Sequence, residues 1–178
     1  SGECYILSKA YEAFNPEIDA TSIDQHTHIV EIHQPDGKND ILQQIEHGAL
    51  TVVNGYLGLG RLYRGIICNS IRQYVLLGDA SAMTDGIIGN NDDRWVFTEN
   101  NPGREMSTAA ALANSARVLR GFNDTLAVHC ENIAKEIFAS QLNASQTGRF
   151  GRGTGKIQTA AELYLTTRDA QYFDYILE

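Results

Sequence analysis

Apolar residues recur at helical spacing along most of the chain. Between Glu3 and Phe14, the residues Leu7, Ala10, Tyr11 and Phe14 fall at i, i+3, i+4 and i+7, which predicts a helix with one apolar stripe. Pro16 stops it, because the residue before a proline is pushed out of helical geometry. From Thr21 to Asp36 the pattern changes. "IDQHTHIVEIH" is β-branched and extended in character, and "QPDGKND" closes it with turn chemistry, so a short extended segment or hairpin is predicted near 21–36. Asn39 or Asp40 then caps a long helix, whose broad face carries Ile41, Leu42, Ile45, Ala49, Val52, Val53 and Tyr56. Gly58, Gly60 and Gly65 follow. No strand-turn-helix pattern surrounds them, so they mark a break or a close helix approach rather than a phosphate loop.

"CNSIRQYVLLGDASAMTDG" predicts a further helix, ended by Gly78. The stretch from Thr84 to about Arg104 is rich in Gly, Asn and Asp and predicts one long loop, a length that in compact domains usually serves function. "MSTAAALANSARVLRGF" predicts a strong helix capped by Ser107 or Thr108. "DTLAVHCENIAKEIFAS" returns, with Leu126, Cys130, Ile133, Ala134 and Ile137 on one side. A loop, "NASQTGRFGRGTG", leads to "KIQTAAELYLTT", an "RD" turn and "AQYFDYILE". Thr108-Ala-Ala-Ala-Leu112 recurs as Thr159-Ala-Ala-Glu-Leu163, a shift of 159 − 108 = 51 residues, and each copy leads through an Asp-containing turn into a second helix. Two helices per unit mean stacked α-hairpins, which bury their faces only by closing into a solenoid or toroid. The expected class is therefore all-α. Because Glu178 falls inside a helical pattern, the chain is expected to be a piece of a larger domain.

Composition narrows the partners. The chain has 178 residues, is 43% hydrophobic and carries a formal charge of −8. That is enough for one core, and the acidic balance argues against nucleic acid or an anionic membrane as partner. No apolar run approaches the ~20 residues of a membrane span. Cys4, Cys68 and Cys130 are too widely spaced for a framework and read as small half-buried side chains. His26, His28 and His33, with Asp24 nearby, offer an H-x-H pair but no convincing fourth ligand, so no metal site is assigned. The acids from Asp85 to Asp93 could hold calcium but lack EF-hand spacing. Asn143-Ala-Ser145 is a glycosylation sequon, and Arg149 and Arg152 lie in a glycine-rich stretch that reads first as a solvated loop and only second as an anion site.

The segments "NDILQQIEHGALTVV", "DDRWVFTENNPGREMSTAAALANSARVLRGF" and "QTAAELYLTTRDAQYFDYI" together resemble glycoside hydrolase family nine, the cellulases or endo-β-1,4-glucanases. In that likeness they match the second hairpin, the cleft loop with its alanine-rich helix, and the next hairpin of the catalytic barrel. The resemblance covers nearly all of residues 1–178 and implies part of a single (α/α)6 toroid, an inverting mechanism, no cofactor beyond a calcium ion possible in the parent enzyme, a β-glucan substrate and a secreted or periplasmic location. It also implies an Asp-Ala-Gly-Asp element for the base and a late Asn-Glu element for the acid. "GDAS" at Gly78–Ser81 and "ENIAKE" match neither, so no catalytic residue is assigned and the isolated chain is expected to be inactive. Helix faces left open by an incomplete toroid would favour self-association.

Asp93, Arg94, Trp95 and Phe97 are the substrate-binding candidates, beside Asp92. A ring beside hydrogen-bonding groups suits a pyranose, with its apolar face and hydroxyl edge. In the family this loop lines the cleft, so the resemblance implies stacking by Trp95 or Phe97 and hydrogen bonds from Arg94. Equal weight goes to Trp95 as a packing anchor and Asp93 as a structural cap. Periodicity and composition by themselves favour a different class, a helical-repeat interaction domain without chemistry.

Overall fold

A computed structural model describes residues 2–24, 26–27, 29–68, 85, 87–89, 93–142 and 154–178. The elements run α1 (Gly2–Phe14), β1 (Thr21–Asp24), β2 (Ile29–Ile32), α2 (Asp40–Leu59), β3 (Gly65–Cys68), β4 (Arg94–Phe97), α3 (Pro102–Leu119), α4 (Asp124–Leu142), α5 (Thr154–Thr167) and α6 (Ala170–Leu177).

The helices form two layers. Thr159 Oγ1 donates to Met106 O and Thr166 Oγ1 donates to Ala113 O, both at 2.8 Å, so α5 and α3 run in the same direction. Ser8 lies against Ser115, and Glu12 accepts from Asn114 and Arg117, which aligns α1 with them as well. The second layer runs the other way. Cys4 approaches Gly48, Asn123 donates to Glu46, and Gln141 donates to Glu105, placing α2 and α4 antiparallel to the first layer. Phe138 makes edge contacts to Tyr172 and Tyr175, and these seat α6 beside α4. The pairs α1/α2, α3/α4 and α5/α6 are thus three antiparallel hairpins.

The core sits around α3. Every residue from Thr108 to Ala116 is buried, which a helix with one covered face does not show. Alanine makes this possible, since a helix without bulky side chains admits neighbours on several sides. The two threonine hydroxyls of α5 reach the α3 backbone for the same reason. Among the described residues Ile45, Met106, Leu119 and Leu163 are the largest fully buried apolar side chains. Burial pushes the Cys130 thiol up to about 12 and raises that of Cys4, so both stay protonated and pack as small apolar groups.

Start signals act as their chemistry dictates at α2. The Asn39 side chain accepts from Ile41 N at 3.0 Å and Leu42 N at 3.3 Å, and Gly60, at φ 67°, ends the helix in left-handed geometry with its N–H on Tyr56 O. Asn39→Ala is expected to cost about 1 kcal/mol, read as a lower urea midpoint at unchanged slope.

Four expectations are corrected. The segment from Thr84 to Arg104 is not one loop: Arg94–Phe97 forms β4, pairing antiparallel with β3 in the register Gly65↔Phe97, Ile66↔Val96, Ile67↔Trp95 and Cys68↔Arg94. The β-branched and aromatic residues of "RWVF" and "GIIC" suit a paired ribbon, and neither run shows it alone. Cys68 consequently ends a strand rather than starting a helix; the rest of that predicted helix, 69–78, lies outside the described residues. The alanine-rich helix begins at Pro102, with Asn101 as cap. Ser107 is inside it and donates back to Gly103 O at 2.9 Å. In α1 Leu7 and Tyr11 of the predicted stripe pack against the core, but the buried residues are Cys4, against Gly48 of α2, and Ser8, against Ser115 of α3, and Phe14 is 81% exposed. The segment near 21–36 is a hairpin, β1 pairing antiparallel with β2.

Candidate functional site

The two layers give the molecule two unlike ends. Helices α1, α3 and α5 all start at one end, and the chain leaves that end between α2 and α3 and again between α4 and α5. At the other end lie the turns between Leu119 and Asp124 and between Thr167 and Ala170, together with the β1–β2 hairpin. Long connections on a rigid scaffold are where binding groups concentrate. The β3–β4 ribbon stands at the first end, against the start of α3.

On a strand successive side chains alternate in direction, so Trp95 and Phe97 share one face and Arg94 and Val96 the other. The structure therefore brings the two rings together and gives Arg94 the opposite side. Trp95 is 67% exposed and Phe97 40% exposed, whereas a packing anchor would be covered. Phe97 lies across Gly65: a Cβ there would come within 3.2 Å of its ring. Asp93 accepts a hydrogen bond from Gly89 N, the capping behaviour open to a short acid in a turn.

Glu99, two residues past Phe97, holds the ribbon in place. Its carboxylate pairs with Arg64 Nη1 at 2.7 Å and Arg104 Nη1 at 2.9 Å, and accepts from Asn101 Nδ2 at 3.3 Å. Its carbonyl accepts from Arg61 at 3.4 Å, and Arg64 N donates to Phe97 O at 2.9 Å. No motif in the sequence marks these residues. Arg64 and Glu99 are 35 positions apart, and no spacing rule joins them.

A second polar cluster lies toward the far end, in the later turns of α1, α3 and α5. Arg117 donates to both oxygens of Glu12, to Glu162 Oε2 at 2.9 Å and to Thr166 Oγ1 at 2.8 Å. Glu162, whose side chain is only 5% exposed, also receives Lys9 Nζ at 2.7 Å and Tyr5 OH at 2.9 Å. Burial works against the Glu12 charge, yet hydrogen bonds from Arg117 and Asn114 and the Arg117 charge hold its carboxyl below the usual range. A general acid for glycoside cleavage needs its carboxyl raised, so Glu12 is suited to a structural ion pair and not to that task. An open depression of about 510 Å³, lined in part by Tyr11, Leu42, Arg120 and Phe122, adjoins the cluster.

Among the described residues no group of three His, Cys, Asp or Glu side chains is placed to hold a metal ion. His26 and His33 are exposed, and His28 lies outside the described residues. So do Asp92, the sequon, Arg149 and Arg152, and other parts of the acid-rich stretch, in which Asp85 accepts from Ile87 N. No helix among the described residues is long and apolar enough to cross a membrane.

No family model matches the chain, and no curated protein matches it significantly. Three chains of solved structures do match. One is a metagenome-derived glycoside hydrolase family 9 endoglucanase, at a TM-score of 0.64 and 21% identity, covering 98% of this chain and 31% of that one. The chain thus spans about a third of that endoglucanase's length. The likeness shows the fold: mostly helical and resembling the (α/α)6 barrel.

Proposed function

We propose that the chain forms one wall of a glucan-binding cleft in an inverting β-1,4-glucanase, with Trp95 and Phe97 stacking on sugar rings; Arg94, on the ribbon's other face, and Asp93, engaged with Gly89 N, stand outside that stacking surface. The observation that carries this reading is the pair of exposed rings on one face of a strand, at the end where the long connections leave, on a fold shared with a family 9 endoglucanase. The ionic character of the face where α1, α3 and α5 converge gives little support to an interaction scaffold, which would present an apolar groove there. Both catalytic carboxyls come from outside this chain under the same proposal, and a polymeric substrate places the enzyme outside the cytoplasm, secreted or periplasmic.

Trp95 is the only tryptophan, so its emission reports the ribbon directly. Titration of the chain with cellohexaose is expected to shift or quench that emission. Phe97 adds no indole signal of its own, so Phe97→Ala tests the second ring through the emission of Trp95. Trp95→Ala, followed by calorimetry, is expected to weaken binding about tenfold, since stacking contributes through apolar area and ~1.4 kcal/mol is a factor of ten. Unchanged affinity in Trp95→Ala would remove the stacking role. Hydrolysis of soluble β-1,4-glucan by the chain alone, lost on mutating one of its own carboxylates, would show that the catalytic groups are within it.

A further inference from the structure

Neither ring of the candidate platform is fixed by burial, yet stacking requires both to be held in a set plane. We infer that Glu99 is the positioning residue of this platform: its carboxylate clasps the root of the β3–β4 ribbon to the start of α3. The inference rests on the glucan-cleft reading for its purpose, though not for its geometry.

Three elements meet at this one side chain. Arg64 precedes β3, Glu99 follows β4, and Arg104 and Asn101 belong to the first turn and cap of α3. Asn101 is shared, because the side chain that caps α3 by accepting from Arg104 N at 3.1 Å also donates to Glu99. A carboxylate suits the task, since its two oxygens accept from separate donors at once; here Oε2 takes Arg64 and Oε1 takes Arg104 and Asn101. Phe97 is drawn in by the adjacent backbone bond from Arg64 N and by the gap over Gly65. With the root fixed on both strands, rotation of the ribbon about its root is restricted, and the plane of Trp95 follows. The two ion pairs are half-exposed, so the clasp contributes little to global stability and is weakened by salt.

The test is Glu99→Gln, with Arg64→Met as the second variant and Glu99→Asp as the conservative one. The single indole N–H resonance of Trp95 and its fluorescence anisotropy are read alongside thermal unfolding followed by helical circular dichroism. For Glu99→Gln and Arg64→Met the indole resonance should broaden or divide and the anisotropy fall, with the unfolding temperature within about 3 °C of the parent. Glu99→Asp should recover part of the change, and 0.5 M salt should move the parent toward Glu99→Gln. Cellohexaose affinity should fall about 3- to 10-fold in Glu99→Gln. An indole signal and anisotropy unchanged in both charge-removing variants would overturn the inference; so would an indole change that appears only in step with loss of the helical signal. If the parent chain binds no cellohexaose while the indole responds as described, the clasp stands and the glucan-cleft reading falls.

Discussion

Replacing Arg117 by methionine is expected to destabilise the chain by about 3 kcal/mol, lowering its unfolding temperature by roughly 10 °C. Methionine keeps much of the volume and removes the charge, so the effect isolates the ion network. The expected value sits at the low end for breaking a buried pair because Glu162 retains Lys9 and Tyr5. Removing one acid as well should relieve part of the loss: Arg117→Met with Glu12→Gln is expected to be less destabilised than the two single changes added together. The pH dependence follows from the direction of the Glu12 shift. Its carboxyl is held below its ordinary value of 4.5, so the stability it supplies is complete above that value and is lost as pH falls through the lowered folded one. In Arg117→Met the Arg117 hydrogen bonds and charge are gone while Asn114 and Lys9 remain, so this acid-sensitive part should shrink without vanishing. Chemical unfolding at several pH values between 3 and 7 measures both, and equal stability of parent and variant at neutral pH would show that the network contributes nothing.

Leu163→Ala is expected to cost a similar amount, about 3 kcal/mol within the ~2–5 range for truncating a large core side chain. Leu163 is fully buried and is the repeat counterpart of Leu112. Its neighbours are poorly placed to collapse into the gap. Thr159 and Thr166 on either side of it hold α5 to the α3 backbone, which fixes the separation of the two helices. Urea unfolding should show a lower midpoint at unchanged slope; a loss under 1 kcal/mol would mean that the helices do close up.

Much of the helical architecture was legible because it is written in periodicity and punctuation. Asn39, Gly60, Asp124 and Asp169 stand at helix boundaries, and the apolar face of α4 is buried as its spacing requires. The TAAAL and TAAEL copies occupy matching helices of one layer. What escaped is information carried between distant residues. A four-residue strand such as Arg94–Phe97 exists only by pairing, and its partner lies across a wide gap in sequence. The predicted stripe of α1 keeps Leu7 and Tyr11 against the core but misses Ser8, which is covered by a serine more than a hundred residues away, and an apolar scale gives such a position no weight. In the candidate site, the aromatic content could be read from "DDRWVF", whereas the division of Trp95 and Phe97 from Arg94 needed the strand, and Glu99 needed its two arginines.

The docking of α1 has a consequence for the order of folding. Helices α3 and α4 are joined by a short turn, and so are α5 and α6, so these pairs form from local contacts. Helix α1 instead reaches α3 and α5 across separations of 102 to 157 residues, through Asn114 to Glu12 and Tyr5 to Glu162. Contacts that close such long loops carry the larger entropic cost and tend to form late. The α1 side of the ion network, Glu12 and Lys9, is then largely absent from the folding transition state. Its loss in Arg117→Met should appear mainly as faster unfolding, with the refolding rate nearly unchanged, and stopped-flow measurement of both limbs separates that outcome from a network formed early.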